Sequence, residues 1–197
     1  MEVSFMFLLC STALLFGANG DVYDEERGIS ISTTPDLTNC DTKLNFCENV
    51  RDYPEIFITR RVGSTFADYF KAHVFGRGAF IERPSRHGDE NRACEYKQHI
   101  ARPRAAKNAA GEWRYIVNSE QNKLEQYVEV ETCRSEGDSC ANVEKFMMPG
   151  YSTRCAQLFV KKAMVAVDEA SFRAYTDDFV FPSACVCYVK PIRWLRQ

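Results

Sequence analysis

Cys185 and Cys187 are separated by a single valine, and that spacing constrains this chain more than any other feature. On an extended strand, residues two apart project to the same side, with Cα atoms roughly 6.5–7 Å apart and parallel Cβ vectors. Such a pair lies at the geometric limit for bonding to itself, so each sulfur must reach a different cysteine on a neighbouring segment. Cys133 and Cys140 flank one short polar stretch, residues 134–138, and are the natural acceptors.

Two such bonds would close a ring from two short backbone pieces. Cys94 and Cys155 would remain, and a bond between them could pass through the ring, which is the cystine-knot arrangement. Spacing alone leaves other solutions open. Six cysteines permit fifteen pairings, and a bond between Cys133 and Cys140 is sterically acceptable in a tight loop.

Whether these sulfurs oxidise depends on the compartment. Residues 3–16 form an apolar run interrupted only by Ser4, Cys10, Ser11 and Thr12, and small residues at 18–20 follow it. The run is shorter than the roughly 20 apolar residues a spanning helix needs and reads as a secretory signal over residues 1–20, although Glu2 stands where a basic residue is usual. Its removal takes Cys10 from the nine cysteines and leaves Cys40, Cys47, Cys94, Cys133, Cys140, Cys155, Cys185 and Cys187. An even set in an exported chain reads as a disulfide framework. Zinc motifs show close cysteine pairs with a histidine partner, and none of the three histidines stands near such a pair. The expectation is a secreted, extracellular protein with no metal and no cofactor.

The net charge of −2 is too small to imply nucleic acid or a charged membrane as partner, and no further segment is apolar enough for membrane insertion. Residues 21–26 are acidic, whereas 92–107 are basic and include Lys97, Arg102 and Arg104. The default reading of such a basic run is a solvated face; an acidic pro-segment resting on it is the alternative.

Residues 21–86 show no sustained periodicity. Cys40 and Cys47 could pair there, and about 62–88 is a Gly- and Arg-rich linker of the kind proteases reach. From Cys94 onward the pattern is β. Residues 113–117 are aromatic and β-branched after a turn signal at 108–111. Residues 127–132 alternate, with Val128 and Val130 on one face and Glu129 and Glu131 on the other. Residues 158–167 favour strand, and 179–189 read as one long strand kinked at Pro182. Hairpins of this size bury limited apolar surface and need staples. The expected fold class is all-β, small and disulfide-rich: a cystine knot of elongated antiparallel hairpins over 87–197, preceded by a largely irregular prodomain over 21–86.

Residues 94–190 resemble the Spaetzle family of Toll-receptor ligands, whose fold is that of the neurotrophins. The matching residues are Gly111-Glu-Trp-Arg-Tyr-Ile-Val-Asn118, Pro149-Gly-Tyr151 ahead of Cys155, and Phe181-Pro-Ser-Ala-Cys-Val-Cys187, with the order and spacing of the six cysteines. Phe46-Cys-Glu-Asn-Val50 with Tyr53-Pro54 resembles the pro-segments of that family. The resemblance implies the pairs Cys94–Cys155, Cys133–Cys185 and Cys140–Cys187. It also implies a precursor cut by a trypsin-like serine protease, after which the ligand binds a Toll-type receptor ectodomain in immunity or development. The alternative is a neurotrophin-like growth factor acting on a different receptor. Many members carry one more cysteine, joining two protomers, where this chain has Ala184; the expectation is therefore a homodimer that is not disulfide-linked, or a monomer.

Arg86, followed by His87 and eight residues ahead of Cys94, fits the family's cleavage position. Arg61, followed by Val62, is the rival because dibasic sites suit convertases. The prodomain itself is an expected partner, masking apolar surface until the cut. Arg102, Arg104, Trp113 and Tyr115 are the receptor-contact candidates, since aromatic and arginine side chains are over-represented among binding hot spots. No Gly-x-Ser-x-Gly or His-Glu-x-x-His motif is present, so no catalytic residues are expected and the chain does not read as an enzyme. It also has no Asn-x-Ser/Thr acceptor for N-glycosylation.

Overall fold

The computed structural model describes residues 21–24, 29–62, 92–120, 124–171 and 173–192. Its spine is one long hairpin, β8 (Tyr151–Asp168) with β9 (Arg173–Pro191). The pairing runs from Tyr151 opposite Pro191 to Asp168 opposite Arg173. The register shifts between Leu158 and Phe159: Phe159 faces Pro182 and Leu158 faces Ala184, so Ser183 is the extra residue. A proline has no N–H for the ladder, and a bulge is where a paired strand tolerates one. At the tip, the Asp168 carboxylate accepts the N–H of Ala170 at 3.1 Å and the hydroxyl of Ser171 at 2.6 Å, closing the turn.

A second hairpin pairs β4 (Tyr96–Ala101) with β7 (Val128–Cys133), Tyr96 lying opposite Cys133 and Ala101 opposite Val128. A small three-stranded sheet has the order β3 (Phe46–Cys47), β5 (Ala105–Lys107), β6 (Trp113–Tyr115). The turn between β5 and β6 is built by Asn108, whose side-chain oxygen accepts the N–H groups of Ala110 and Glu112 at 3.1 and 2.9 Å. Gly111 there adopts φ +90, a conformation that glycine enters without a Cβ clash. A separate hairpin, β1 (Asp21–Asp24) with β2 (Ile29–Ser32), lies at the start of the described chain.

The β8 run 164–167 is buried on both faces. Met164 and Ala166 join a cluster with Phe179, Phe181, Val128 and Val130. Val165 and Val167 join another with Tyr115, Val117, Val50, Phe57, Ile58 and Val62. The inserted amide of Gln126 ties these layers together: it accepts the Val165 N–H at 2.8 Å and donates to the carbonyls of Val117 and Val165 at 2.8 and 3.0 Å. Residues 33–62 contain little regular structure, a two-residue strand and single helical turns at Thr42–Leu44, Glu55–Phe57 and Ile58–Val62. They nevertheless complete the core at the tip half of the hairpin.

Candidate functional site: a sulfur ring and a strand-covered face

Strand register brings the six downstream cysteines together. Cys155 and Cys187 are directly opposite on β8 and β9, and Cys133 ends β7, which packs on β9. Their partners are Cys94–Cys155, Cys133–Cys185 and Cys140–Cys187, with Cα separations of 5.7, 4.9 and 5.9 Å. The last two bonds and the pieces 133–140 and 185–187 close a ring. The remaining bond lies against it: Cys94 Sγ is 3.8 Å from Cys140 Sγ, and the Cys155 backbone is stitched to the loop by Cys155 N–H to Asp138 O at 2.8 Å and Gly137 N–H to Cys155 O at 2.9 Å. Gly137 makes this approach at φ +92.

Two polar side chains support the ring. Glu131 is 8% exposed; one of its oxygens accepts the Cys185 N–H at 2.8 Å and the Arg92 guanidinium at 2.9 Å. Gln157 accepts the Cys133 N–H at 2.8 Å and donates to the carbonyls of Glu131 and Ala184 at 2.8 and 3.1 Å. Simple alternation places Glu131 on the polar side of its strand. At Glu131 that side is enclosed by the knot, which only the three-dimensional pairing reveals. The Sγ atoms of Cys94, Cys140 and Cys155 lie within 4.8 Å of one another, a spacing suited to a metal if they were thiolates. All are consumed in disulfides, so no thiolate remains to ligate one.

The second feature is the face beneath residues 45–62. The bond Cys40–Cys47, Cα separation 5.4 Å, closes a loop that presents β3 to the edge of β5. The carbonyls of Cys47 and Asn45 accept the N–H groups of Arg104 and Lys107 at 2.7 and 2.8 Å. The Tyr53 hydroxyl accepts the Asn118 N–H at 2.7 Å and reaches the Ile116 carbonyl at 2.6 Å. Burial raises its pKa well above the ordinary tyrosine value, despite the opposing Asn118 hydrogen bond, so it sits there neutral.

All four contact candidates lie at this face. The Arg102 N–H donates to Glu48 Oε1 at 2.7 Å, and its guanidinium pairs with Glu120. The Arg104 guanidinium is 4.9 Å from the Tyr53 ring centroid and 4.0 Å from Glu55. Trp113 packs against the cluster that contains Phe57 and Ile58. Tyr115 is fully buried, and its hydroxyl donates to Asp52 Oδ2 at 2.7 Å; burial first, then the adjacent Asp52 carboxylate, raises its pKa. Val62 is 2% exposed at the end of the last helical turn. Arg86, His87 and most of the expected linker lie outside the described residues.

The ring and the third bond packed against it define the class: a cystine-knot protein built on antiparallel hairpins. Among the described residues, no helix is long and apolar enough to cross a membrane. The sequence profile of the Spaetzle family matches residues 91–189, half of the chain, and the chain belongs to that family, a family of cystine-knot cytokines and not of enzymes. It is 40% identical over 96 residues to Protein spaetzle 5 of Drosophila melanogaster, covering 49% of this chain and 24% of that protein. It is 24% identical over 148 residues to Protein spaetzle of the same species, covering 74% and 44%. To Neurotrophin 1, also of that species, it is 30% identical over 106 residues, covering 54% and 11%. The chain thus spans less than half the length of each. A solved structure described as the spatzle cystine knot aligns with 54% of this chain and all of its own at 16% identity, with a TM-score of 0.34.

Proposed function

We propose that the chain is a secreted cytokine precursor, activated by a trypsin-like serine protease and then binding and activating a Toll-type receptor. Residues 1–20 serve as the signal, 21–86 as the prodomain and 87–197 as the ligand. The observation that carries this reading is the position of the pro-segment. It sits on Arg102, Arg104, Trp113 and Tyr115 and, among the described residues, is joined to the ligand body by no disulfide, since Cys40 pairs with Cys47 and the six described cysteines downstream pair among themselves. One cut between 62 and 92 therefore leaves the segment held only by non-covalent contacts and removes the tether that kept its effective concentration high.

Cleavage falls after Arg86, making His87 the new N-terminus. The rival bond, Arg61 to Val62, ends in a buried valine inside a helical turn, whereas proteases favour exposed, locally open chain. The mature ligand is a homodimer without an interchain disulfide: Ala184 carries no thiol, and it lines an open cleft beside Arg92 and Glu131. The alternative, a growth factor for a different receptor, is favoured by the 30% identity to Neurotrophin 1.

The test is to treat the full chain with a trypsin-like protease, sequence the new N-terminus and measure binding to a Toll ectodomain before and after. We expect a start at His87 and binding that appears on cleavage. A start at Val62 contradicts the site, and a cut ligand that ignores the ectodomain selects the alternative. Denaturing gels of the ligand should show no reductant-sensitive dimer.

A further inference from the structure

The sulfurs of the knot are neighbours between bonds as well as within them. The Sγ atoms of Cys94, Cys140 and Cys155 lie within 4.8 Å of one another. Cys94 Sγ is 3.8 Å from Cys140 Sγ, although the two belong to different disulfides. The backbones that carry them already run side by side, since the Ala141 N–H donates to the Ala93 carbonyl at 2.7 Å. Their present partners, Cys155 and Cys187, are neighbours too, directly opposite on β8 and β9. The Cys155 N–H and carbonyl both turn away from β9, to Asp138 and Gly137. Cys155 and Cys187 are therefore a non-hydrogen-bonded pair, the antiparallel position where Cα atoms approach to about 4.5 Å. Opposite residues project to the same face, and that separation falls within the disulfide range.

One sulfur of these two bonds is within reach of solvent. Cys94, Cys140 and Cys155 are buried, whereas Cys187 is partly exposed and lines the open cleft beside Ala184 and Arg92. The bond Cys140–Cys187 is thus the one an incoming thiolate meets first, and it meets it at Cys187. Cys133 is partly exposed as well. Attack on its bond leads nowhere further, because neither Cys133 nor Cys185 belongs to the close set of sulfurs.

We infer that Cys187 is a thiol-exchange site through which a thiolate converts the knot into a second disulfide isomer, Cys94–Cys140 with Cys155–Cys187, while Cys133–Cys185 stays in place. The thiolate attacks Cys187 Sγ, forms a mixed disulfide there and expels Cys140 as thiolate. Cys140 attacks Cys94 Sγ, 3.8 Å away, and expels Cys155. Cys155 then attacks Cys187 Sγ across the hairpin and expels the original thiolate. Each step is ordinary thiol–disulfide exchange. Two bonds break and two form, the catalyst is regenerated, and no net electrons move. In the product the ring is open, because the Cys140–Cys187 bond that closed it is gone. The hairpin is stapled to itself, and Cys94 is tied to the 133–140 loop instead of to β8. The inference goes beyond the proposed function and does not rest on it, because it concerns the sulfur framework whichever receptor uses the ligand.

The test incubates the full oxidised chain with a catalytic amount of reduced glutathione at about pH 8, where ordinary thiols begin to ionise. The reaction is quenched with acid, free thiols are alkylated, and the disulfides are mapped by mass spectrometry. We expect Cys94–Cys140 and Cys155–Cys187 to appear together in equal amounts, with no matching rise in free thiol. We also expect them to exceed any new bond to Cys133 or Cys185 by about tenfold or more, since those sulfurs have no close acceptor to exchange with. A map that stays unchanged overturns the inference, as does Cys94–Cys140 without Cys155–Cys187, or general scrambling that includes Cys133 and Cys185 equally. Cys187→Ser isolates the middle step by leaving Cys140 without its partner. With no thiol added, alkylation of that variant should label Cys155 as well as Cys140; label confined to Cys140 overturns the inference too.

Discussion

The two ends of the β8–β9 hairpin are secured by different chemistry. At the open end, Cys155, Cys185 and Cys187 are tied into three covalent bonds, with Glu131 and Gln157 satisfying the backbone amides of the ring. Toward the tip, Val165 and Val167 are covered by Val50, Phe57, Ile58 and Val62 of a segment with no covalent link to the body except the chain itself. The knot confines the unfolded ensemble, so its contribution persists as long as the sulfurs stay oxidised. The tip depends on burial and hydrogen bonds alone. In the proposed precursor, that division separates a covalent frame at the knot from a non-covalent cover at the tip.

The comparison breaks most decisively if the knot is not the frame. Replacing Cys94 and Cys155 together with alanine removes a bond spanning 61 residues; the chain-entropy model assigns such a loop about 4 kcal/mol. Secreted yield and melting temperature should fall sharply, and a variant that melts like the parent would show that packing alone holds the open end.

Phe57→Ala sharpens the other side. Its ring is 1% exposed, and losing a buried phenylalanine costs about 3–5 kcal/mol. The loss should appear as earlier melting of the tip, with disulfide mapping unchanged. A single transition shifted together with the knot residues would mean that the two ends are not separable.

Tyr53→Phe is a smaller probe of the same cover. It removes the acceptor of the Asn118 N–H, and a buried donor left without its partner costs about 1–3 kcal/mol. Denaturant melts of the precursor should record that loss.

The smallest effect concerns Glu169, at the hairpin tip and 2% exposed. Burial raises its carboxyl above the ordinary 4.5, with Arg114 pulling in the opposite direction. The folded state then binds more protons than the unfolded state across that interval. The stability this group contributes is fully present below pH 4.5 and is lost as pH rises through the folded value. Glu169→Gln should lack that loss, so the variant gains on the parent as pH rises. A difference that stays flat with pH would contradict the shift.

The sequence was most legible where geometry is local. The Cys-x-Cys pair announces a strand with two outward bonds, Asn108 to Gly111 announces a turn, and Pro182 marks the irregularity in β9, where the bulge is found. The cover was not legible in that way. Asp52, Tyr53, Phe57 and Ile58 follow no period, because each meets a different element of the body: Tyr115, the 116–118 backbone and the β8 valines. Only the likeness of 46–54 to known pro-segments marked the region as special. Glu131 was obscured for a related reason, since the polar face of an alternating strand reads as solvent until another part of the chain encloses it.

The most direct test of the divided architecture is amide hydrogen exchange on the full chain, before and after one cut in residues 63–91 followed by removal of the amino-terminal piece. The account predicts that protection at 102–107 and 115–118 falls on removal, while protection at Cys133, Cys155 and Cys185 is retained. Unchanged protection at 102–118, or its equal loss at the knot, would contradict it.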